Sequence, residues 1–344
     1  MTTRTTSGDA LEPASAISGA EMAGSATAIA AANSIVMACH INPDGDALGS
    51  LIALGIAIWA KFPEKSVTLL SRDGVPEIYR FLPFVERVQT TTDRRDFDLA
   101  VVLDSGDLKR VGDEIVPIIR SATVQMDIDH HVGEALTGKF RLVNARAAAT
   151  AEIVFDLINT FGVAVTPDIA RCLLTGIITD TGSFRFMNVT PRTLRIAASL
   201  IEAGASPGLI SEQVFDNRAF GSTKLMGAVL SKLAHTADGA ITWATVDRAT
   251  FVETGTTDED TEGLINFVRA VRGTQIGLLF REVHPGVIRI SLRCVEKYDV
   301  SKIAAEFGGG GHKMASGCSF RGCLTDAQAA LVQACQAALA EQPA

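Results

Sequence analysis

Short apolar stretches that alternate with helical patterns through the first half of the chain constrain its fold more than any other feature of the sequence. Most of these stretches are apolar, which is typical of strands buried on both faces of a parallel sheet, whereas the one at 123–131 begins as an alternating stretch. Strands separated by helices predict an α/β fold with a doubly wound, mainly parallel sheet. The predicted strands are 34–40, 66–71, 97–106 and 123–131, and the predicted helices are 46–62, 76–82, 113–122, 148–162 and 167–179.

Three further regions surround this α/β domain, which is placed at 31–186. Residues 1–30 are rich in Ala, Ser, Thr and Gly, and we expect a disordered tail that leads into a first helix. Residues 187–222 predict a helical linker, and residues 223–340 predict a smaller α/β domain with a mixed sheet. The strands expected in this second domain are 240–247, 274–283 and 287–294, and its helices lie around 261–270, 300–307 and 325–340.

The net charge of −8 lies entirely within residues 1–184, because acidic and basic residues are equal in number after that point. An acidic half suits a cation site, whereas the chain lacks the basic field that long nucleic acids need. The apolar segment 47–62 stops at Lys61, before membrane-spanning length, and the N-terminus has no signal-peptide pattern. Six scattered cysteines are typical of reduced thiols, so we expect a cytoplasmic protein without a membrane partner.

Three side chains that can bind a metal ion follow the first predicted strand, in the segment HINPDGDALGS at 40–50. His40, Asp44 and Asp46 provide an imidazole and two carboxylates, a donor set that suits a divalent cation. Each residue also has an ordinary alternative, because Asp46 would cap the next helix and Asp44 would sit in a turn.

Further metal-binding residues follow the later strands. Asp104 ends the third predicted strand, and its two oxygens would allow it to bridge two ions. Asp129, His130 and His131 end the fourth strand, and we expect Asp129 to orient His130 through the second ring nitrogen. Because ligands bind beyond the carboxyl ends of parallel strands, all these residues should converge at one edge of the sheet.

Asp180 lies in the segment GIITDTGSFRF at 176–186 and is predicted to be another carboxylate ligand. The letters DTGS also occur in aspartic proteases, but a pair of such loops in a β-rich fold would be needed, which the α/β pattern excludes. The ordinary alternative is a loop aspartate that caps a neighbouring group.

The glycine-rich segment EFGGGGHKMASG at 306–317 predicts an anion site in the second half of the chain. Glycines allow backbone N–H groups to approach an anion closely. His312 and Lys313 would add charge there, and Arg293 on a nearby predicted strand would suit a phosphate group. The ordinary alternatives are a flexible loop and a solvated arginine.

The order of these motifs resembles the DHH phosphoesterase superfamily with its DHH-associated C-terminal domain. Within the superfamily, the chain is most similar to the bacterial nano-RNase/pAp phosphatases, which degrade very short oligonucleotides and dephosphorylate 3′-phosphoadenosine 5′-phosphate (pAp). The resemblance spans residues 30–325 and rests on His40, Asp44, Asp46, Asp104, Asp129-His130-His131, Asp180 and the GGGGH segment.

The resemblance implies two Mn²⁺ ions per chain, with Mg²⁺ or Co²⁺ as substitutes. Asp104 and His131 would be catalytic, Asp104 by bridging the two ions and His131 by facing the scissile phosphate. The other implied ligands are His40 and Asp44 for the first ion and Asp46, His130 and Asp180 for the second. The implied substrate-binding residues are Gly309, Gly310, Gly311, His312, Arg293 and Arg185.

A manganese-dependent phosphoesterase of short oligonucleotides and pAp is therefore the function that the resemblance predicts. The alternative substrates are cyclic or linear dinucleotides such as c-di-AMP, pApA and pGpG. The alternative of another class is a non-catalytic nucleotide- or RNA-binding protein on the same fold. The C-terminal half lacks the basic signature of family II pyrophosphatases, and the chain is short for a RecJ-like exonuclease. A homodimer is one of the oligomeric states that the sequence allows.

Overall fold

A computed structural model describes residues 17–131 and 138–341. These residues form two compact units, and the boundary lies between Asn217 and Arg218. The strands of the first unit are β1 (Ser34–Ala38), β2 (Ser66–Leu70), β3 (Val88–Gln89), β4 (Leu99–Leu103), β5 (Val124–Asp129) and β6 (Phe140–Val143). Its helices are α1 (Gly19–Ala31), α2 (Gly45–Lys61), α3 (Val116–Ser121), α4 (Thr150–Phe161), α5 (Pro167–Asp180), α6 (Pro191–Glu202) and α7 (Pro207–Ser211).

The first unit is built around one sheet in the order β3-β2-β1-β4-β5-β6. Every neighbouring pair of strands in it is parallel. β1 and β4 are entirely buried, which explains their continuously apolar sequences. The strand order reverses between β1 and β4, and the crevice at such a reversal is the usual ligand site of a doubly wound sheet. The predicted fold class is therefore confirmed.

Helices lie on both faces of this sheet. One face packs against α1, α2, α4 and α5, whose apolar residues form the larger core of the unit. The other face packs against α3 and the residues just before it, in a smaller core. Helices α2 and α5 approach closely at Gly49 because this residue has no side chain. A Cβ there would lie 2.3 Å from the carbonyl oxygen of Cys172. This close contact fixes the end of α5 beside the start of α2.

Two expectations about the borders of this unit are corrected. Residues 19–31, placed in the disordered tail, form α1, because Ser18 and Glu21 make a capping box and Met22 and Ile29 are buried in the core. Residues 1–16 lie outside the described residues. Helices α6 and α7, placed in the linker, belong to the first unit, because apolar residues of both helices are buried in its core.

Three elements of the first unit differ from the sequence prediction. The predicted helix 76–82 is only a 3-10 turn at Glu77–Tyr79, flanked by Pro76 and a second 3-10 turn. Strands β3 and β6 were not predicted. β3 is two residues long and β6 is only partly buried, so neither has a clear apolar run. All three differences lie away from the centre of the sheet.

The second unit has a mixed sheet in the order β11-β12-β10-β9-β8-β7, as predicted. Only the pair β8–β9 is parallel. Its strands are β7 (Ala234–His235), β8 (Ile241–Val246), β9 (Ile276–His284), β10 (Val287–Cys294), β11 (Gly310–His312) and β12 (Ala315–Arg321). Its helices are α8 (Phe220–Leu230), α9 (Arg248–Thr254), α10 (Leu264–Arg269), α11 (Val300–Glu306) and α12 (Leu324–Glu341).

Among the described residues, none of the helices combines the length and apolar character that crossing a membrane requires. All six cysteines are unpaired thiols, and five of them are buried.

Candidate metal centre

The predicted metal-binding residues converge at the carboxyl edge of the parallel sheet, around the reversal between β1 and β4. His40 follows β1, Asp104 follows β4, and His130 follows β5. Asp180 is the last residue of α5 and reaches the same place from the side of the sheet. The edge therefore gathers imidazoles and carboxylates from four separate segments.

The loop after β1 orients His40 and Asp44 toward each other. The Nδ1 of His40 lies 2.7 Å from the carbonyl oxygen of Ile41, so an Nδ1–H would donate there and leave a lone pair on Nε2. His40 Nε2 lies 3.7 Å from Asp44 Oδ2 and 3.7 Å from Asp104 Oδ2. Asp44 also caps α2, since its Oδ1 accepts from the N–H groups of Asp46 and Ala47. The capping role considered for Asp46 thus belongs to Asp44.

Asp46 is fully buried beneath the N-terminus of α4. Its carboxylate accepts from the N–H of Thr150 at 2.6 Å and from the N–H of Ala151 at 2.9 Å. The first N–H groups of a helix have no partner within the helix, and they favour a negative charge. Gly176 of α5 makes room for this carboxylate, because a side chain there would lie 2.5 Å from Asp46 Oδ1.

Asp104 lies at the centre of the cluster and has a left-handed backbone, with φ of 56°. The left-handed conformation is energetically unfavourable for residues other than glycine, and such strained residues concentrate at functional sites. Its Oδ2 faces His40, whereas its Oδ1 lies 3.5 Å from His130 Nε2. Oδ1 also accepts a hydrogen bond from the Thr150 hydroxyl at 2.9 Å. The two oxygens of one carboxylate therefore face two different groups of ligands.

His130 points toward Asp104 and Asp180. Its Nε2 lies 3.1 Å from Asp180 Oδ2, and its Nδ1 lies 3.3 Å from the carbonyl oxygen of Ala147. The expectation that Asp129 orients His130 is wrong, because a backbone carbonyl contacts the second ring nitrogen instead. A carbonyl can fix the ring in the same way as a carboxylate.

Asp129 instead holds His131. Its Oδ1 lies 2.6 Å from His131 Nδ1 and also accepts from the His131 backbone N–H. Its Oδ2 accepts from the backbone N–H groups of Ser105 and Gly106, at 3.0 and 2.5 Å. One carboxylate thus ties the loop after β4 to the loop after β5. The pKa of Asp129 would be raised by burial, but the hydrogen bond and charge of His131 lower it to about 2.

Three groups of side chains have ligand atoms close enough together to hold a metal ion. Within each group these atoms lie within 4.8 Å of one another. Asp104 belongs to two of the groups, which would place it between two neighbouring ions. The groups are His40, Asp44 and Asp104; Asp46, His130 and Asp180; and Asp104, His130 and His131.

The charges of the cluster also fit a bound cation. Burial raises the pKa of Asp46, and the charges of Asp104 and Asp180 raise it further. Burial likewise raises the pKa of Asp104, and it raises that of Asp180 to about 6. Burial would lower the pKa of His40, but the adjacent carboxylates raise it to about 9. Buried carboxylates that repel one another are stabilised when a cation replaces their protons.

The predicted substrate-binding residues of the second unit lie together on its sheet. Arg293 of β10 pairs with Ala315 of β12, which in turn pairs with His312 of β11. The side chain of His312 lies outside the described part of the structure. Desolvation lowers the pKa of Arg293, and the nearby Arg281 and Arg269 act in the same direction.

Gly309, Gly310 and Gly311, which lie in β11 or directly before it, differ in the space around them. A side chain at Gly309 would lie 2.1 Å from the carbonyl oxygen of Gly317, and one at Gly311 would lie 2.6 Å from that of Ala315. These two glycines are required for strand packing. Only Gly310 has open space beside it, so the glycine run is a short strand and not the flexible loop that was considered.

Arg185 lies on the tight turn that follows α5 and Asp180. Its Nε donates to the carbonyl oxygen of Gly182 at 2.6 Å, and its side chain is exposed. The turn is strained, since Ser183 and Phe184 both have φ of 62°. Asn188 ties the turn to the site by donating to the carbonyl oxygen of Asp180 at 3.1 Å.

One cationic residue at this edge was missed from the sequence. Arg110 lies on a 3-10 turn at Leu108–Val111, and its Nη1 donates to the carbonyl oxygen of Ser105. Its positive charge acts on His40 by lowering the pKa of that imidazole. The only signal in the sequence was its position six residues after Asp104, which does not distinguish it from an ordinary surface arginine.

Two family descriptions match the chain. Residues 34–177 match the DHH family, N-terminal domain, and residues 226–341 match the DHHA1 domain. The first match covers the loops after β1, β4 and β5 and ends just before Asp180. The second covers all strands of the second unit.

Similar proteins extend over most of the chain. The bifunctional oligoribonuclease and PAP phosphatase NrnA of Thermus thermophilus is 34% identical over 293 residues, which are 85% of this chain and 86% of that protein. The protein of the same name from Bacillus subtilis is 28% identical over 83% of this chain and 89% of its own length. The crystal structure of an exopolyphosphatase-related protein from Bacteroides fragilis superimposes with a TM-score of 0.87 and 27% identity, covering 93% of this chain and 97% of that one.

Proposed function

The chain belongs to the DHH family, and from that premise we propose that it is a metal-dependent phosphoesterase that hydrolyses short oligonucleotides and dephosphorylates pAp. The names of the Thermus and Bacillus relatives, which describe an oligoribonuclease and PAP phosphatase, support this choice of substrates. All six predicted ligand residues are present and lie at one edge of the sheet. A binding protein without catalytic activity would not need to retain the whole set.

Two Mn²⁺ ions are the proposed cofactor, with Mg²⁺ or Co²⁺ as substitutes. His40, Asp44 and Asp104 would hold one ion, and Asp46, His130 and Asp180 would hold the other with Asp104 between them. A set of carboxylates with two imidazoles fits Mn²⁺, because oxygen ligands alone would favour Mg²⁺ or Ca²⁺. A bound pair of ions would supply an activated water and charge stabilisation at the phosphate.

The side chains of the protein would orient and protonate the substrate. Asp129 Oδ1 lies 2.6 Å from His131 Nδ1, so this carboxylate orients the His131 ring. His131 would donate a hydrogen bond to a non-bridging phosphate oxygen or a proton to the leaving alkoxide. Asp129 would orient His131 in the same way as a carboxylate orients the catalytic histidine in other hydrolases.

The second unit would bind the rest of the nucleotide. Arg293 on β10 and the backbone of Gly310 and Gly311 on β11, two strands that both pair with β12, would bind a terminal phosphate or sugar, together with His312. Arg185 would contribute from the first unit. A cytoplasmic location and a homodimer stay predictions of the sequence.

The position of Asp104 between two donor groups is the observation that carries this proposal. The Asp104→Asn protein should lose Mn²⁺-dependent hydrolysis of pAp by roughly 10³-fold or more, because an amide cannot neutralise the ions. Asp113→Asn is the matched control, since Asp113 is an exposed aspartate on the same stretch of chain. An Asp104→Asn protein with full activity, or a wild type whose activity survives chelation, would rule the proposal out.

A panel of substrates would separate the proposed activity from the alternatives. The wild-type protein with Mn²⁺ would be given pAp, pApA, pGpG, c-di-AMP, a 5-mer RNA and a 24-mer RNA. Fast turnover of pAp and the 5-mer, with little turnover of the 24-mer, is expected. Turnover of dinucleotides alone would identify a dinucleotide phosphodiesterase, and binding without any turnover would identify a nucleotide-binding protein.

A further inference from the structure

Arg110 is fixed between the two loops that carry His40 and Asp104. Its Nη1 donates to the carbonyl oxygen of Ser105 at 3.1 Å, which orients the guanidinium. Its own carbonyl oxygen accepts from the backbone N–H of Ile41 at 2.6 Å. Both its main chain and its side chain are therefore tied to the carboxyl edge of the sheet, although the residue as a whole is exposed.

The guanidinium lies near His131, the residue that would contact the substrate phosphate. A methyl group built on Gly106 would be 3.7 Å from Arg110 Nη1 and 3.4 Å from the Cβ of His131. Both residues therefore lie within 4 Å of one position above Gly106, a residue with φ of 66° and no side chain. The charge of Arg110 also reaches His40 on the other side of the loop.

A positive charge is unfavourable beside a cation site unless an anion lies between them. Within residues 17–131 and 138–341, no carboxylate forms a salt bridge with Arg110, whereas Arg72, Arg94 and Arg192 of the same unit all have one. A guanidinium that faces a metal site without a carboxylate partner suits a group with several negative oxygens. Phosphate is the group that the planar donors of arginine fit best.

We infer that Arg110 binds a non-bridging oxygen of the phosphate at the metal centre and positions the phosphorus next to His131. This inference rests on the proposed function. It adds a substrate-positioning residue to the first unit, where the sequence implies the metal ligands, His131 and Arg185. Because Ser105 holds one guanidinium nitrogen, the remaining donors have a fixed direction, which a lysine could not reproduce.

The test compares Arg110→Ala and Arg110→Lys with Lys109→Ala, a neighbouring residue of the same charge on the same 3-10 turn. The kcat/KM for pAp should fall about 10²–10³-fold in Arg110→Ala, the range observed when one donor to a developing oxyanion is removed. Arg110→Lys should restore only a small part of the loss, and Lys109→Ala should stay within about twofold of wild type. Guanidinium added at millimolar concentration should partly rescue Arg110→Ala, which a merely structural role would not allow.

Two binding measurements make the outcome independent of turnover. Mn²⁺ affinity should be unchanged in Arg110→Ala, and AMP affinity of the Mn²⁺-loaded protein should fall about tenfold. Unchanged AMP affinity, equal effects of the Arg110 and Lys109 variants, or a parallel loss of Mn²⁺ would overturn the inference. A wild type that binds AMP through Arg110 but turns over no phosphoester would instead contradict the proposed function and leave the inference supported.

Discussion

Asp98 at the amino edge of the parallel sheet and Asp46 and Asp104 at its carboxyl edge have pKa values shifted in opposite directions. At the amino edge, Asp98 accepts from the N–H groups of Asn33 and Ser34 at 2.8 and 2.9 Å, and these bonds lower its pKa. At the carboxyl edge, burial and neighbouring carboxylates raise the pKa of Asp46 and Asp104. The Asp98 carboxylate is therefore already stabilised in its charged form by backbone donors, whereas Asp46 and Asp104 require a proton or a cation.

The amino edge also has an open cavity of about 480 Å³. Arg94 lies on its wall, where its Nε bonds Asp96 at 2.9 Å and its Nη1 bonds the Ser66 hydroxyl. Asp96 and Asp98, which line this cavity, are already paired with donors. An unbalanced cluster of buried charges, and not the size of an opening, therefore distinguishes the candidate site from the rest of the sheet.

The largest expected effect concerns Asp129 and His131 at the carboxyl edge, where Asp129 orients the ring that would contact the phosphate. Asp129→Asn and His131→Ala should each lower kcat for pAp by roughly 10²–10⁴-fold, because the first removes the carboxylate that orients the His131 ring and the second removes the ring itself. Both proteins should bind Mn²⁺ like wild type, whereas His130→Ala should bind it weakly. Isothermal titration with Mn²⁺ and steady-state kinetics measure the two quantities. Equal loss of Mn²⁺ in the His130 and His131 variants would mean that both rings are ligands.

The pH dependence of metal affinity should show that the carboxyl edge holds protons that a cation displaces. Asp180 has a pKa raised to about 6 and His40 a pKa raised to about 9, and both must be deprotonated to bind a metal. Raising the pH from 6 to 8 should therefore increase the apparent Mn²⁺ affinity, by about tenfold per pH unit for each proton released. Titrations in buffers with different ionisation enthalpies should show release of about one proton at pH 7. Binding without proton release would contradict the raised pKa of His40.

Metal removal should destabilise the protein through the carboxyl edge alone. At a Mn²⁺ concentration 100 times Kd, bound metal should stabilise the folded state by about 3 kcal/mol, which is a rise in Tm of a few degrees. Chelation should reverse this rise in wild type and in Asp98→Ala. The Tm of the Asp104→Asn protein should rise little when Mn²⁺ is added, because the loss of one carboxylate has already reduced the repulsion between the carboxylates of the cluster. A similar rise in all three proteins would place the bound metal elsewhere.

The smallest effect is expected at the amino edge. Asp98→Ala should lower the free energy of unfolding by about 1 kcal/mol at pH 7, because two backbone N–H groups lose an acceptor that solvent partly replaces. The pKa of Asp98 is lowered in the folded state, so its contribution is present above the unfolded pKa and is lost as the pH falls through the folded value. Urea denaturation should show a smaller difference in the free energy of unfolding between wild type and Asp98→Ala at pH 3 than at pH 7. The hydrolysis of pAp at pH 7 should be unchanged. A large loss of activity would mean that the two edges are coupled.

Several features of the site were predictable because they depend on one rule of topology. Strands 34–38 and 99–103 are buried and almost entirely apolar, strand 124–129 alternates apolar and polar residues, and metal-binding residues follow each of them within two positions. Parallel strands end at one edge, so the convergence of His40, Asp104 and His130 required only the order of elements along the chain. The short strand β6 was missed because it has no clear apolar run, and the first helix was expected to begin later than α1 does because capping and packing, and not a clear apolar period, define its start.

By itself, the sequence determined the fold class, the edge at which the site lies and the types of ligand it contains, because these follow from periodicity and from what stands next to each strand end. The tertiary structure alone decided which groups pair. Asp46 meets the N-terminus of α4 more than 100 residues later, Asp129 holds His131 and not His130, and Arg110 faces the site across Gly106. The physical reason is that hydrogen bonds act only over about 3 Å, so a partner is selected by the packing of distant segments and not by local order along the chain.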